Sequence, residues 1–275
     1  MTSLVARRTL GIGMTIMVSA TLVILAHLAQ GNIGYTSHFS GWTLLALIVF
    51  LALYNVRKTV PFLPLGSSSA WLQLHIYVGL LTGTLFAVHV DFSVPDGIFE
   101  CLLTLIYLSV LLSGLIGLYM TRSFPARLTM LGNEVIFEQI PVVRRELQDR
   151  VEALVVIENS DHEKTAIAHF YRHQIRPFLL THHDLTTQLT RGTSAHWHQL
   201  SRAIEDQNRY LDQEERRLMD EVREHVRRKF QLDTQYALQG ALKVWLFFHI
   251  PAVWALLIFA FFHSILVHAW SGGLP

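Results

Sequence analysis

Two pairs of histidines stand out by their spacing. His75 and His89 lie 14 positions apart in WLQLHIYVGLLTGTLFAVHVDF, and His249 and His263 lie 14 apart in KVWLFFHIPAVWALLIFAFFHSILVHAW. At about 100° per residue, that interval falls roughly 40° short of four helical turns, so the members of a pair share one face about 21 Å apart along the axis. Both stretches are strongly apolar, and ionisable groups at membrane depth are costly and usually functional. Two imidazoles facing each other from separate helices suit axial ligation of a porphyrin iron from both sides. This reading makes His75, His89, His249 and His263 metal ligands for two haem b groups, one near each membrane face. Gly79 and Gly83 complete an HxxxGxxxG row with His75. They are candidate cofactor contacts, because small residues let a bulky ring come close. Gly114 and Gly117 have the same capacity. Cys101 is the only cysteine and no CxxCH is present, which excludes covalent haem attachment.

The elements that must carry these histidines are membrane helices. Of the 275 residues, 51% are hydrophobic and 16% charged, where about 25% charged is usual for a soluble domain. Mean hydropathy is +0.35. Charge is nearly absent from Leu10 to Tyr119, dense from Thr121 to Lys243, and absent thereafter. The fold expected is an all-α membrane bundle of about five transmembrane helices with a helical cytoplasmic insertion. Residues 1–120 hold the first four spans, 121–243 the insertion, and 244–275 the fifth span and an outer tail. The spans are expected near Leu10–Ala29, Gly41–Tyr54, Trp71–Phe92, Ile98–Met120 and Val244–Trp270, with aromatic residues at several ends. The first has Arg7 and Arg8 before it and an apolar run longer than a signal peptide needs, so it reads as a retained anchor.

All 22 basic residues fall on one side of such a bundle: Arg7, Arg8, Arg57, Lys58 and the remaining 18 between Arg122 and Lys243. The positive-inside rule makes that side cytoplasmic, with the N-terminus inside and the C-terminus outside, and a bacterial inner membrane is the simplest host. His75 and His249 then share an inner depth, and His89 and His263 an outer one. Within the insertion, Pro141 suits the first turn of a helix running to about Ile157, Asp161 suits a cap, and Pro177 is expected to stop the helix before it. A longer helix from Ser194 or Ser201, carrying Leu200, Ile204, Leu211, Leu218, Val222, Val226 and Phe230 at helical spacing, is expected to run into the fifth span.

Other signals are weaker. His268 is a second-choice ligand beside His263. His27 and His38, near the outer end, read as interfacial groups or contacts for an electron partner or quinone. The insertion holds His162, His169, His173, His182, His183, His196, His198 and His225. His169 and His173 have the i,i+4 spacing of a zinc pair, but no HExxH or CxxC accompanies them, so a solvated face is the expectation. Arg57, Lys58, Arg122, Arg127 and Lys243 are either propionate partners for the inner haem or plain positive-inside charge. No nucleotide loop is present, and acids balance bases in EDQNRYLDQEERR, which argues against nucleic acid.

The two 14-residue pairs resemble the dihaem layout of membrane b-type cytochromes. With pairs on the third and fifth spans and a cytoplasmic connection between the fourth and fifth, the arrangement is closest to the transmembrane domain of the ferric reductase and NADPH oxidase type. The cytochrome b subunit of quinol–cytochrome c oxidoreductases uses the same spacing on other helices. The resemblance covers about 170 membrane residues and implies axial-ligand roles for the four histidines only. It implies a subunit that conducts electrons between a quinone or a soluble cytoplasmic redox protein and an outer-side partner such as a cytochrome. No flavin or nicotinamide domain is appended in this sequence, so the donor is expected to be separate and the enzyme class stays open. Two other classes compete: a haem-free transporter or proton relay built on the same histidines, and a membrane anchor for a cytoplasmic complex.

Overall fold

The computed structural model describes residues 2–28, 33–59, 67–158, 165–181 and 194–271. Asp161, His162, His182 and His183 lie outside them, and so do the side chains of Arg7, Arg8, His27, Arg57, Lys58 and His196. Among the described residues the fold is helical throughout. The helices are α1 (Thr2–Leu28), α2 (Ile33–Thr59), α3 (Ser68–His89), α4 (Ile98–Met130), α5 (Ile140–Glu158), α6 (Thr165–Phe170), α7 (Arg176–Leu180), α8 (Ser194–Gln207) and α9 (Gln213–Ser271). A π-helical turn, Tyr171–Ile175, joins α6 to α7. The chain divides into two compact units: residues 1–119 with 245–275, and residues 120–244.

Four helices are long and apolar enough to cross a membrane. The qualifying segments are Ser37–Tyr54, Ser68–His89, Ile98–Met130 and Gln213–Ala269, and that length and composition suit an integral membrane protein. The apolar part of α1, Thr9–Leu25, is shorter. Among the described residues four such segments are therefore shown, where the sequence leads one to expect about five spans.

In the first unit, α3 packs against both α1 and α2. Leu44 and Ile48 of α2, Leu85 of α3, Tyr107 of α4 and Leu256 of α9 form its buried core. Ser67 caps α3, its hydroxyl accepting from the Ala70 amide at 3.3 Å. Beyond His89 the chain turns sharply. Asp91 and Phe92 both take φ 51°, a left-handed conformation uncommon outside glycine. The turn leads to α4, which opens at Ile98.

The second unit has its own core, centred on Ile140, Val151, Ile204, Met219, Val222, Val226 and Leu232. Buried within it is an ionic knot. Lys229 pairs with Asp233 at 2.6 Å and donates to the carbonyls of Phe178 and Thr181, each at 2.9 Å, while Arg144 pairs with the same Asp233. Two helix boundaries differ from expectation. Pro177 does not end a helix but sits in the first turn of α7, where its missing N–H costs nothing, after the π turn has rearranged the register. The long helix breaks at Asn208–Tyr210 and restarts at Gln213. There Asp212 and Glu215 form a reciprocal capping box: the Glu215 amide donates to Asp212 at 2.8 Å and the Asp212 amide to Glu215 at 3.0 Å.

Candidate functional site

Helices α2, α3, α4 and α9 enclose a cavity of about 300 Å³, at the low end of the range for small-molecule pockets. Its walls are mainly apolar, with Leu44, Ile48, Phe86, Leu103, Tyr107 and Leu256 among them. Into this wall are set His38, His89, His263 and His268. The His89 and His263 rings face each other with centroids 6.4 Å apart and planes at 89°.

Each ring is held from behind. Ser40 of α2 lies 3.1 Å from His89 Nδ1, and Gly41 lets that ring lie against the helix. A Cβ at position 41 would come within 2.9 Å of His89 Cε1, so any larger residue displaces the imidazole. Phe99 of α4 stacks on His263 at 6.3 Å, and on Phe259 one turn earlier at 5.7 Å. Nδ1 of His263 is buried and has no hydrogen-bond partner among the described residues.

The other two histidines are half-buried and separately anchored. His249 Nδ1 lies 3.0 Å from the Ser113 hydroxyl, and its ring stacks on Trp245 at 5.2 Å. Trp245 in turn donates its indole N–H to the Ser113 carbonyl at 2.8 Å. Ser113 thus fixes both rings, one through its side chain and one through its backbone. His75 packs beside Tyr54, with centroids 5.1 Å apart.

The glycines divide differently from expectation. A Cβ on Gly79 would meet nothing within 4 Å, and one on Gly83 would meet only the Leu111 side chain at 3.5 Å, an ordinary contact. A Cβ on Gly114 would lie 4.0 Å from His249 Cε1, while Gly117 is pressed so closely by the Trp245 ring that no Cβ fits. The glycines in close contact with site residues are therefore Gly41 and Gly117. Sequence reasoning missed Gly41, Ser40, Ser113 and Trp245 as supports. Their signal was present, since S-G pairs inside apolar helices (Ser40–Gly41, Ser113–Gly114) put a hydroxyl next to a site of close approach.

Among the secondary candidates, His268 does not take the place of His263. Its ring stands against Trp42 and His38, with centroids 5.4 and 6.0 Å away. His169 and His173 are brought together at 4.3 Å, both exposed. Lys243 is engaged with Glu138 and lies over the Phe137 ring at 4.4 Å. Among the described residues there is no cluster of three or more His, Cys, Asp and Glu able to hold a metal, so a metal here would rest on paired imidazoles.

The arrangement defines a class: helices fit to cross a membrane, with histidines in an apolar interior. Comparison takes it no further, since no protein-family model, curated protein or solved structure matches the chain.

Proposed function

We propose that the chain is a dihaem b-type cytochrome subunit that conducts electrons across a membrane. The observation that carries this reading is the His89–His263 pair, with two rings from different helices facing across an apolar cavity at 6.4 Å. Two imidazoles bound to opposite sides of one ion at about 2.1 Å per bond have centroids roughly 6.5 Å apart. Second-sphere support points the same way. A ligating histidine usually has its other ring nitrogen held by a hydrogen-bonding group, which fixes tautomer and orientation, and Ser40 and Ser113 provide this for His89 and His249. At His263 a buried nitrogen without a partner costs about 1–3 kcal/mol, a cost that coordination would relieve.

Haem, when bound, supplies reversible one-electron exchange at iron. The chain's residues do the rest. His89 with His263, and His75 with His249, would hold the two haems. The apolar walls exclude water. The open side of Gly79 leaves room beside the helix for a flat ring. In this reading α1 is a fifth span and the basic residues face the cytoplasm. The 120–244 unit, which has no nucleotide motif, docks a soluble redox partner; a quinone or an outer cytochrome serves as the other partner.

Reduced-minus-oxidised spectroscopy with haem counting on purified protein tests the proposal. Two haems per chain are expected, falling to one in His89→Ala or His263→Ala. Colourless protein from haem-replete cells would overturn it in favour of a haem-free relay. Haem content unchanged in all four single alanine variants would overturn the ligand assignment.

A further inference from the structure

The cavity holds a second pair of imidazoles that the dihaem reading does not use. His38 near the start of α2 and His268 near the end of α9 are exposed at its rim, with ring centroids 6.0 Å apart. That lies inside the limit of roughly 6.5 Å for two imidazoles sharing one ion. The His268 ring is oriented as a ligand would be. Its Nδ1 donates to the Ser264 carbonyl at 2.9 Å, which fixes the orientation of the ring. Trp42, edge-on at 5.4 Å, limits the ring's freedom.

The charge around this end favours a cation. The connections at 29–36 and 90–97 and the segment after His268 contain no Lys or Arg, while Asp91 and Asp96 are acidic, and Glu100 follows in the first turn of α4. Two imidazoles with no Lys or Arg in the adjoining sequence suit a transition-metal dication better than an anion.

We propose that His38 and His268 bind one imidazole-seeking transition-metal dication, of the Zn²⁺ or Cu²⁺ kind, at the rim of this cavity, with water completing its coordination. This site is separate from the His89–His263 pair and stands whether or not that pair holds iron. Two protein ligands set a modest affinity.

Titration calorimetry with Zn²⁺ on tag-free, full-length protein is the test, with Cu²⁺ electron paramagnetic resonance as the spectroscopic check. The expected result is one ion per chain with nitrogen hyperfine coupling from two imidazoles. In His38→Ala or His268→Ala the affinity should fall at least about tenfold, with the thermal midpoint unchanged. Because both side chains are exposed, loss of folding is not an expected confounder; His268→Gln provides a milder second variant. Equal affinity in the wild type and the double variant would overturn the proposal, as would copper signals without imidazole coupling. Ion binding lost only in His89→Ala or His263→Ala would reassign the metal to the His89–His263 pair. Absence of haem alongside intact Zn²⁺ binding would defeat the cytochrome reading alone.

Discussion

Ser113 meets two side chains with two different groups, its hydroxyl near His249 and its carbonyl accepting from Trp245. Ser113→Ala removes only the first. Loss of a group that orients a metal-bound histidine typically weakens binding by about 10–100-fold, and the same range is expected for haem retention at the inner level, read as the rate of haem loss to apomyoglobin. In the proposed dihaem arrangement the outer haem should be retained, because His89 lies beside Ser40 instead. Glu138 makes a different kind of prediction. The Lys243 ammonium beside it holds its carboxyl below the usual carboxylate range. A carboxylate with a lowered pKa stabilises the fold fully above its ordinary titration range, and that contribution disappears as pH falls through the lowered value. Glu138→Gln should therefore lower the thermal midpoint slightly at about pH 8, and the difference from the wild type should shrink as pH falls below the usual glutamate range. The Glu138 side chain is 65% exposed, so the effect is small. That His89 and His263 lie at one level on two helices was legible from type and interval alone. Their supports were not, because a serine one helix away leaves no periodic trace in the sequence.

Among the elements, the apolar helices were readable and their ends were not. Trp71–Phe92 was expected where α3 runs from Ser68 to His89, and Gly41–Tyr54 where α2 runs from Ile33 to Thr59. Hydropathy marks what can enter a membrane, whereas helix ends follow caps such as Ser67 and the left-handed pair Asp91–Phe92. The Asp212–Glu215 capping box was visible in DQEE but is overshadowed by the apolar spacing that runs through it, so a broken helix reads as a continuous one. Pro177 misleads for a related reason, since a proline stops a helix or starts one depending on where the register changes. In α9, Asp233 is fully buried between Lys229 and Arg144. Removing one member of a buried ionic group leaves the others uncompensated, at about 3–5 kcal/mol. Asp233→Ala should lower the thermal midpoint sharply and expose the 120–244 unit to protease. A triple change of Arg144→Met, Lys229→Met and Asp233→Leu should recover much of the loss, and a single Asp233→Ala variant as stable as the wild type would refute the argument.

On the scale of the whole molecule, the distribution of charge fixes the expected orientation, and the chain offers a direct probe of it. Cys101 is the only cysteine, exposed in the first turns of α4, with its thiol 3.0 Å from the Pro95 carbonyl. If the basic residues face the cytoplasm, as proposed, Cys101 is expected at the outer surface. A membrane-impermeant maleimide added to spheroplasts should label it, and Cys101→Ser should abolish the label. Labelling only after the membrane is opened would reverse the orientation. The inside of the bundle has a history to disclose as well. The Tyr107 hydroxyl donates to Thr82 at 3.2 Å, and Thr82 donates to the Gly79 carbonyl at 2.7 Å. Phenylalanine at 107 leaves Thr82 still satisfied, but valine at 82 strands the tyrosine hydroxyl in the interior, at about 1–3 kcal/mol. Lineages drifting from this ancestor would thus meet a one-way gate: position 107 is free to change first, and position 82 becomes free only afterwards.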